Sequence, residues 1–276
     1  MNPRTAALFA DARAESRAAL IGYLPAGFPT IDASVALIDE MLAGGVDLVE
    51  VGLPYSDPLM DGVAIQDAVQ IALSEGTTTE DVLSIVERIS LSDRQAAVVM
   101  SYWNPIERFG LQSFVDRLAA AGGSGVITPD LTPEEAGPWI AATDSNDIDR
   151  TFLVAPSSTD ARIQTVAEAC TGFVYAASTM GVTGARDQVS NAAPTLVERV
   201  RERTTAPIGV GLGVSSADQA AGIAGYADGV IVGSAFVRRI LDAGDLAAAR
   251  ASVRAFAEEL AEGVRRPVDR IPVTAN

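Results

Sequence analysis

Residues 47–62 read DLVEVGLPYSDPLMDG, and the order of residue types within them sets the reading of the whole chain. Leu48 to Val51 form a short apolar run of strand character; a turn rich in Pro, Ser, Asp and Gly follows, and a helical pattern begins just past Gly62. One carboxylate, Glu50, lies inside the apolar run, where a charge is costly. A second, Asp61, follows eleven residues later at the end of the turn. Two readings stand on this stretch alone. A strand-end acid facing a loop acid points to proton chemistry in a pocket; alternatively, Glu50 belongs to a buried ion pair and Asp57 and Asp61 are ordinary turn residues.

The unit of strand, polar loop and helix recurs in both directions from this stretch. Apolar runs predict strands at Ala19–Tyr23, Leu48–Val51, Ala97–Met100, Gly125–Thr128, Thr151–Val154, Phe173–Ala176, Ile208–Val210 and Gly229–Val232. Helical spacing links Val35, Ile38, Met41 and Leu42 behind Thr30 as N-cap, with Gly44 and Gly45 as the stop. The same spacing links Ile65 to Leu73, Val82 to Val86 behind Thr79, and Leu111, Phe114, Val115 and Leu118. Thr132, Pro133 and Glu135 fit N-cap, first-turn and capping-box positions of a helix that Pro138 shortens or kinks. Ser101 to Pro105 reads as a polar-aromatic strand end.

Roughly eight such units in about 250 residues, with no linker or break in composition, match a closed α/β (β/α)8 TIM barrel better than an open doubly wound sheet. No Gly-x-Gly-x-x-Gly follows the first strand to favour the open sheet. The expectation is a single domain over residues 1–276: an extra N-terminal helix in 1–18 that plugs the barrel bottom, the barrel in 19–262 and a C-terminal tail in 263–276.

Composition narrows the chemistry. Of the 276 residues 48% are hydrophobic, ample for a core, and the net charge of −16 argues against nucleic acid and acidic membrane surfaces as partners. The first twenty residues, with Pro, Arg, Asp and Glu, do not read as a secretory signal, no apolar run approaches membrane-spanning length, and the single Cys170, in an Ala-rich helical pattern, reads as small core filler; a cytoplasmic protein is expected. The sequence has no histidine and no lysine. Schiff-base chemistry therefore lacks a side-chain amine, and a zinc site or a His-centred triad has no residues to build it. Acid–base work falls to Asp, Glu or Tyr.

In a barrel the C-terminal strand ends form the active face, so Glu50, Tyr102, Asp130, Tyr175 and the late glycine loops are expected to converge on one mouth. Gly181 to Ala185 reads GVTGA, Gly211 to Ser215 reads GLGVS, and Gly233 with Ser234 opens the last helical pattern. Glycine allows close backbone approach and helix N-termini offer free N–H groups, which predicts a phosphate site after the sixth, seventh and eighth strands.

The segments GYLPAGFPT at Gly22, VEVGLPYSDPLMDG at Val49, MSYWNPIERFG at Met100, GVITPDLTPEEA at Gly125, FLVAPSS at Phe152, GFVYAASTMGVTGA at Gly172, GVGLGVSS at Gly209 and GVIVGSA at Gly229 resemble the tryptophan synthase alpha chain family nearly end to end. The resemblance implies a lyase that cleaves indole-3-glycerol phosphate to indole and glyceraldehyde 3-phosphate by a retro-aldol step. It implies Glu50 and Asp61 as catalytic acids with Tyr175 beside the substrate. Tyr102, Thr183, Gly184, Gly213, Gly233 and Ser234 are implied as substrate and phosphate contacts. It further implies no cofactor in this chain, a beta chain carrying pyridoxal phosphate as partner in an alpha2-beta2 hetero-tetramer, and an interface including Pro54, Asp57, Asn104 and Pro105. Three departures from the family pattern stand out: Pro25 in place of a common Thr, Thr132 in place of Pro, and Thr179-Met180 where a basic residue is common.

The residues permit that chemistry. Breaking a carbon–carbon bond without a lysine iminium needs another electron sink, and an indole ring protonated at carbon three is one. Glu50 is then the acid at that carbon and Asp61 the partner of the indole N–H. Related barrels that rely on a catalytic lysine are set aside by its absence. A non-catalytic subunit that only activates a partner is the other class, and the presence of both Glu50 and Asp61 weighs against it.

Overall fold

The computed structural model describes residues 1–177 and 186–266. Its strands are β1 (Ala19–Pro25), β2 (Leu48–Gly52), β3 (Ala96–Met100), β4 (Gly125–Ile127), β5 (Asp149–Thr151), β6 (Leu153–Val154), β7 (Val174–Ala177), β8 (Ile208–Gly211) and β9 (Gly229–Val232). The helices are α1 (Pro3–Ala14), α2 (Ile31–Ala43), α3 (Val63–Ser74), α4 (Thr79–Arg88), α5 (Trp103–Phe109), α6 (Leu111–Ala120), α7 (Gly137–Asp144), α8 (Asp160–Ala169), α9 (Arg186–Arg201), α10 (Ala217–Ala224), α11 (Ser234–Leu241) and α12 (Leu246–Arg265). All pairings are parallel, in the order β5-β4-β3-β2-β1-β9-β8-β7-β6.

The two ends of that order, β5 and β6, are separated only by Phe152, so the sheet closes on itself as an eight-stranded barrel with its fifth strand broken once. The break has a local cause. Phe152 N–H turns to the Sγ of Cys170 at 3.3 Å, while its carbonyl still accepts from Tyr175 N at 3.2 Å. Cys170 is thus buried core as the sequence suggests, but it sits at the C-cap of α8 and occupies a backbone donor, and burial pushes its thiol up to about 12.

Strand residues alternate between two cores. Leu20, Val49, Val51, Ala97, Val99, Val126, Val174, Val210 and Val230 face outward into the large core beneath the helices. Ala19, Ile21, Leu48, Ala96, Val98, Ile127, Phe173 and Ile231 face inward, where Leu8, Phe9 and Ala12 of α1 join them. The N-terminal helix therefore plugs the bottom, with the Phe9 ring 5.9 Å from that of Phe173. Below the top layer the barrel is solid, and any reactant must be met at the C-terminal strand ends.

Several local expectations shift on inspection. Thr78, not Thr79, caps α4, because it completes a capping box with Asp81, whose carboxylate returns to the Thr78 N–H at 2.8 Å. Thr132 to Glu135 form a turn rather than a helix start; α7 begins at Gly137, where Pro138 stands at the entry and kinks nothing. Trp103 to Phe109, part of which the sequence presents as a strand end, is the helix α5. The last helix runs to Arg265, past the position 263 at which the tail was expected to start. Among the described residues no helix is long and apolar enough to cross a membrane.

Candidate active site

The top inward layer of the barrel is polar. Register pairs Tyr23 with Glu50 across β1 and β2, and both share the inward parity of Ile21 and Leu48. Tyr175 of β7 enters the same space, packed against the inner core. Room for two phenols comes from two glycines. A Cβ on Gly52 would meet the Tyr23 hydroxyl at 2.4 Å, and one on Gly211 would meet the Tyr175 hydroxyl at 2.7 Å. Any side chain at either position would displace a ring.

Glu50 is 1% exposed, and its Oε1 has no hydrogen-bond partner among the described residues. Burial alone raises its pKa from 4.5 to about 8. No ion pair involving Glu50 forms among the described residues, and its pKa is raised, the direction opposite to the one a cationic partner would give. Both phenols are pushed well above 10, first by burial and then by nearby acids: Asp61 and Glu50 for Tyr23, Glu50 for Tyr175. They stay protonated donors throughout the working range.

Asp61 lies in the loop between β2 and α3, half-buried at the mouth. It is not used as a helix cap, since Gly62 holds the N-cap position of α3 without a side-chain bond. Instead the Tyr102 hydroxyl donates to its Oδ1 at 3.4 Å while accepting from the Leu59 and Met60 N–H groups at 3.0 Å each. Burial raises the Asp61 pKa, and the Tyr102 bond draws it partly back. Asp57 does behave as a turn residue: it is exposed and accepts from Ser56 Oγ at 2.6 Å.

Asp130 completes this corner from the β4–α7 loop. Its two carboxylate oxygens accept the Trp103 N–H at 2.9 and 3.1 Å, capping α5 in place of Tyr102, whose hydroxyl is turned to the neighbouring loop. The Tyr55 ring lies tilted against that of Tyr102, centroids 5.4 Å apart, and its hydroxyl accepts from Asn104 at 3.2 Å. Asn104 and Pro105 border an open groove together with Tyr55, and Leu59, Met60 and Val63, on either side of Asp61 in the chain, leave apolar surface exposed. Of the expected interface residues, Asp57 and Asn104 are exposed, whereas Pro54 is buried in the isolated chain.

On the opposite side of the mouth, α11 starts at Ser234 behind Gly233 with no side-chain cap, leaving its first amides unclaimed by a side chain, whereas α10 is capped by Ser216. Gly213 has φ +68 and open space around it, a backbone that suits glycine. Thr183 and Gly184, with the GVTGA segment and Thr179-Met180, lie outside the described residues.

The structure thus brings Glu50, Asp61, Tyr102 and Tyr175 to one mouth, with Gly213, Gly233 and Ser234 on strand ends and loops of the same face. Tyr23 is absent from the sequence-derived set. The only signal for it was a tyrosine ending a buried strand, and its significance depends on the β1–β2 register, which periodicity does not disclose.

Fold and mouth define the class: a (β/α)8 barrel with a buried, protonatable carboxyl at the C-terminal ends of its strands. Within that class the family model described as "Tryptophan synthase alpha chain" matches residues 9–265. The chain is 58% identical over 259 residues to a tryptophan synthase alpha chain of Thermobifida fusca, covering 93% of this chain and 96% of the relative. It is also 58% identical over 263 residues to one of Mycobacteroides abscessus, covering 95% and 98%. A crystal structure of tryptophan synthase from M. tuberculosis superposes with a TM-score of 0.88 at 49% identity, covering 97% of this chain and all of that one. The chain belongs to the tryptophan synthase alpha chain family.

It is a lyase, cleaving indole-3-glycerol phosphate to indole and glyceraldehyde 3-phosphate in tryptophan biosynthesis. In this family pyridoxal phosphate sits on the beta chain and the alpha chain needs no cofactor; the alpha-chain identity implies a beta-chain partner.

Proposed function

We propose that Glu50 carries the proton in this cleavage, that Asp61 pairs with the indole N–H, and that Tyr175 stands beside the reacting bond. One observation carries the assignment: a carboxyl that is 1% exposed, without a partner at Oε1 among the described residues and raised to about 8 holds a proton near neutral pH and can release it. Delivered to carbon three of the ring, that proton leaves positive charge on the ring nitrogen, against which the Asp61 carboxylate is set. Glu50, now a base, takes the proton of the adjacent side-chain hydroxyl with help from the Tyr175 phenol. The carbon–carbon bond breaks, its electron pair returns to the ring as indole leaves, and the hydroxyl carbon becomes the aldehyde of glyceraldehyde 3-phosphate.

The uncapped start of α11 at Gly233 and Ser234, with the Gly213 turn, supports a phosphate site built mainly of backbone amides in a chain without lysine. Gly184 joins that site, and Thr183 helps hold the catalytic loop closed, on the strength of the resemblance. Tyr102 serves as a substrate-side residue as well as a contact to the loop. The chain works as a single barrel domain in the cytoplasm, in an assembly of two alpha and two beta chains with the beta chain against Asp57, Asn104, Pro105 and the strand end at Pro54.

The test is single-turnover indole release from indole-3-glycerol phosphate beside equilibrium binding of a substrate analogue, with and without a beta chain. Asp61→Asn is expected to bind and to lose cleavage by about 10² or more, because a neutral amide cannot match the ring charge. Normal turnover by that variant would remove Asp61 from the mechanism.

A further inference from the structure

Asp61 reaches the mouth on a loop whose exposed Leu59 and Met60 side chains contribute little burial to hold it there. Gln66 Nε2 holds the Asp61 carbonyl at 2.7 Å, and the rest of the loop is gathered on one oxygen: the Tyr102 hydroxyl collects the Leu59 and Met60 amides at 3.0 Å each and leans on Asp61 Oδ1 at 3.4 Å. The position of that oxygen depends on the backbone carrying it. Tyr102 is the N-cap residue of α5, at φ −62 and ψ 159, a place normally held by Ser, Thr, Asp or Asn, whose short side chain satisfies the first helical N–H groups. A tyrosine cannot both cap its own helix and reach across to another loop. Here the two tasks are divided, because the Trp103 N–H is taken by both oxygens of Asp130, a residue 27 positions on. Ser101 Oγ, donating to the Tyr102 carbonyl at 2.7 Å, and the Tyr55 ring restrain the same residue from other sides.

We propose that Asp130 is a positioning residue for the cleavage: by holding the Trp103 N–H it fixes the backbone under Tyr102, so that the Tyr102 hydroxyl can set the loop that presents Asp61. The proposal rests on Asp61 taking part in cleavage. It accounts for a carboxylate at the mouth that no step of the reaction uses, and whose burial raises its pKa while the Trp103 N–H draws it back.

The variants Asp130→Ala, Asp130→Asn and Tyr102→Phe, and the double variant, test it through kcat, KM and the acid limb of the kcat profile. Ionised Asp61 faces Tyr102 from the start of α5 and Tyr23 from β1, and of these the Tyr102 bond lowers its pKa against burial. A slack Tyr102 weakens that bond, so Asp61 holds its proton to higher pH. Asp130→Ala is expected to lower kcat about 10-fold with KM moved far less, and to shift the acid limb upward. Asp130→Asn keeps an oxygen that can accept the Trp103 N–H and should recover most of the rate. Tyr102→Phe should show the same upward shift, and the double variant should be no slower than Tyr102→Phe alone.

Native kcat in Asp130→Ala, an unshifted limb, or losses that multiply in the double variant would overturn the proposal. Asp130→Ser, which keeps a short acceptor, replaces the alanine variant if that one fails to fold. Asp61→Asn run in parallel separates the two failures: if it cleaves normally, the assignment of Asp61 fails, and if it is dead while Asp130→Ala is normal, only the role of Asp130 does.

Discussion

Glu50→Gln should abolish cleavage and stabilise the protein at neutral and alkaline pH. The carboxyl's pKa rises on folding from 4.5 to about 8, about 3.5 units, which at about 1.4 kcal/mol per unit is about 5 kcal/mol. The sign follows from which state holds the proton. Between those two values the folded chain keeps a proton that the unfolded chain has released, so this contribution is fully present below the unfolded value and is lost as pH rises towards 8. Above about pH 8 the folded state carries a buried carboxylate whose Oε1 has no partner among the described residues, and the full cost. Gln has nearly the same shape and no titration. Its amide leaves an unpaired oxygen of its own, costing about 1–3 kcal/mol, so the net gain above about pH 8 is about 2–4 kcal/mol. For a chain of this size that is a rise in Tm of about 4–8 °C.

The assay is thermal unfolding of both proteins followed by circular dichroism across a pH series. The variant's advantage should be present at about pH 9, smaller at about pH 7 and reversed into a small deficit at about pH 5, where only the cost of the amide remains. Curves for the two proteins that run parallel across the series would refute the reasoning, because Glu50 would then not be held neutral by burial. A gain in stability together with lost cleavage would mark a site kept strained for function.

Gly211→Ala places a methyl 2.7 Å from the Tyr175 hydroxyl, so steady-state indole release should fall about 10-fold and the Tm should drop; Tyr175→Phe in the same chain removes the clashing oxygen and should restore the Tm, read by thermal unfolding, though not turnover, which needs the phenol. Gly213→Val has open space around its Cβ but forces a branched residue to φ +68, so phosphate-bearing ligands should bind at least about 10-fold more weakly, read by KM and by competition with glyceraldehyde 3-phosphate. Arg17→Ala removes the guanidinium bonded to Asp47 at 2.6 Å in a buried corner at the barrel bottom; urea unfolding should show a loss of about 3 kcal/mol, with turnover per folded molecule unchanged. Sedimentation of the chain should change when a cognate beta chain is added, and a profile unaltered by it would remove the hetero-tetramer.

Much of this protein is determined by its sequence alone. Strand and helix alternation predicts the barrel because a parallel strand buried on both faces must be almost wholly apolar, and the eight runs from Ala19 to Val232 carry a single charge among them, Glu50. The same rule makes Glu50 conspicuous, since a carboxylate in such a run has to be explained. The absence of lysine and histidine narrows the chemistry to Asp, Glu and Tyr before any fold is known. Short-range capping was harder to place: Thr78 and Thr79 offer equal chemistry, and only the reach of Asp81 decides between them. What the tertiary structure decided is what depends on register and closure. That Tyr23 faces Glu50, that Gly52 and Gly211 make room for two phenols, and that Asp130 caps a helix from another loop are relations between strands and loops distant in sequence. Periodicity reports which face of an element is buried; it does not report which neighbour that face meets, because the pairing is set by packing of the whole barrel.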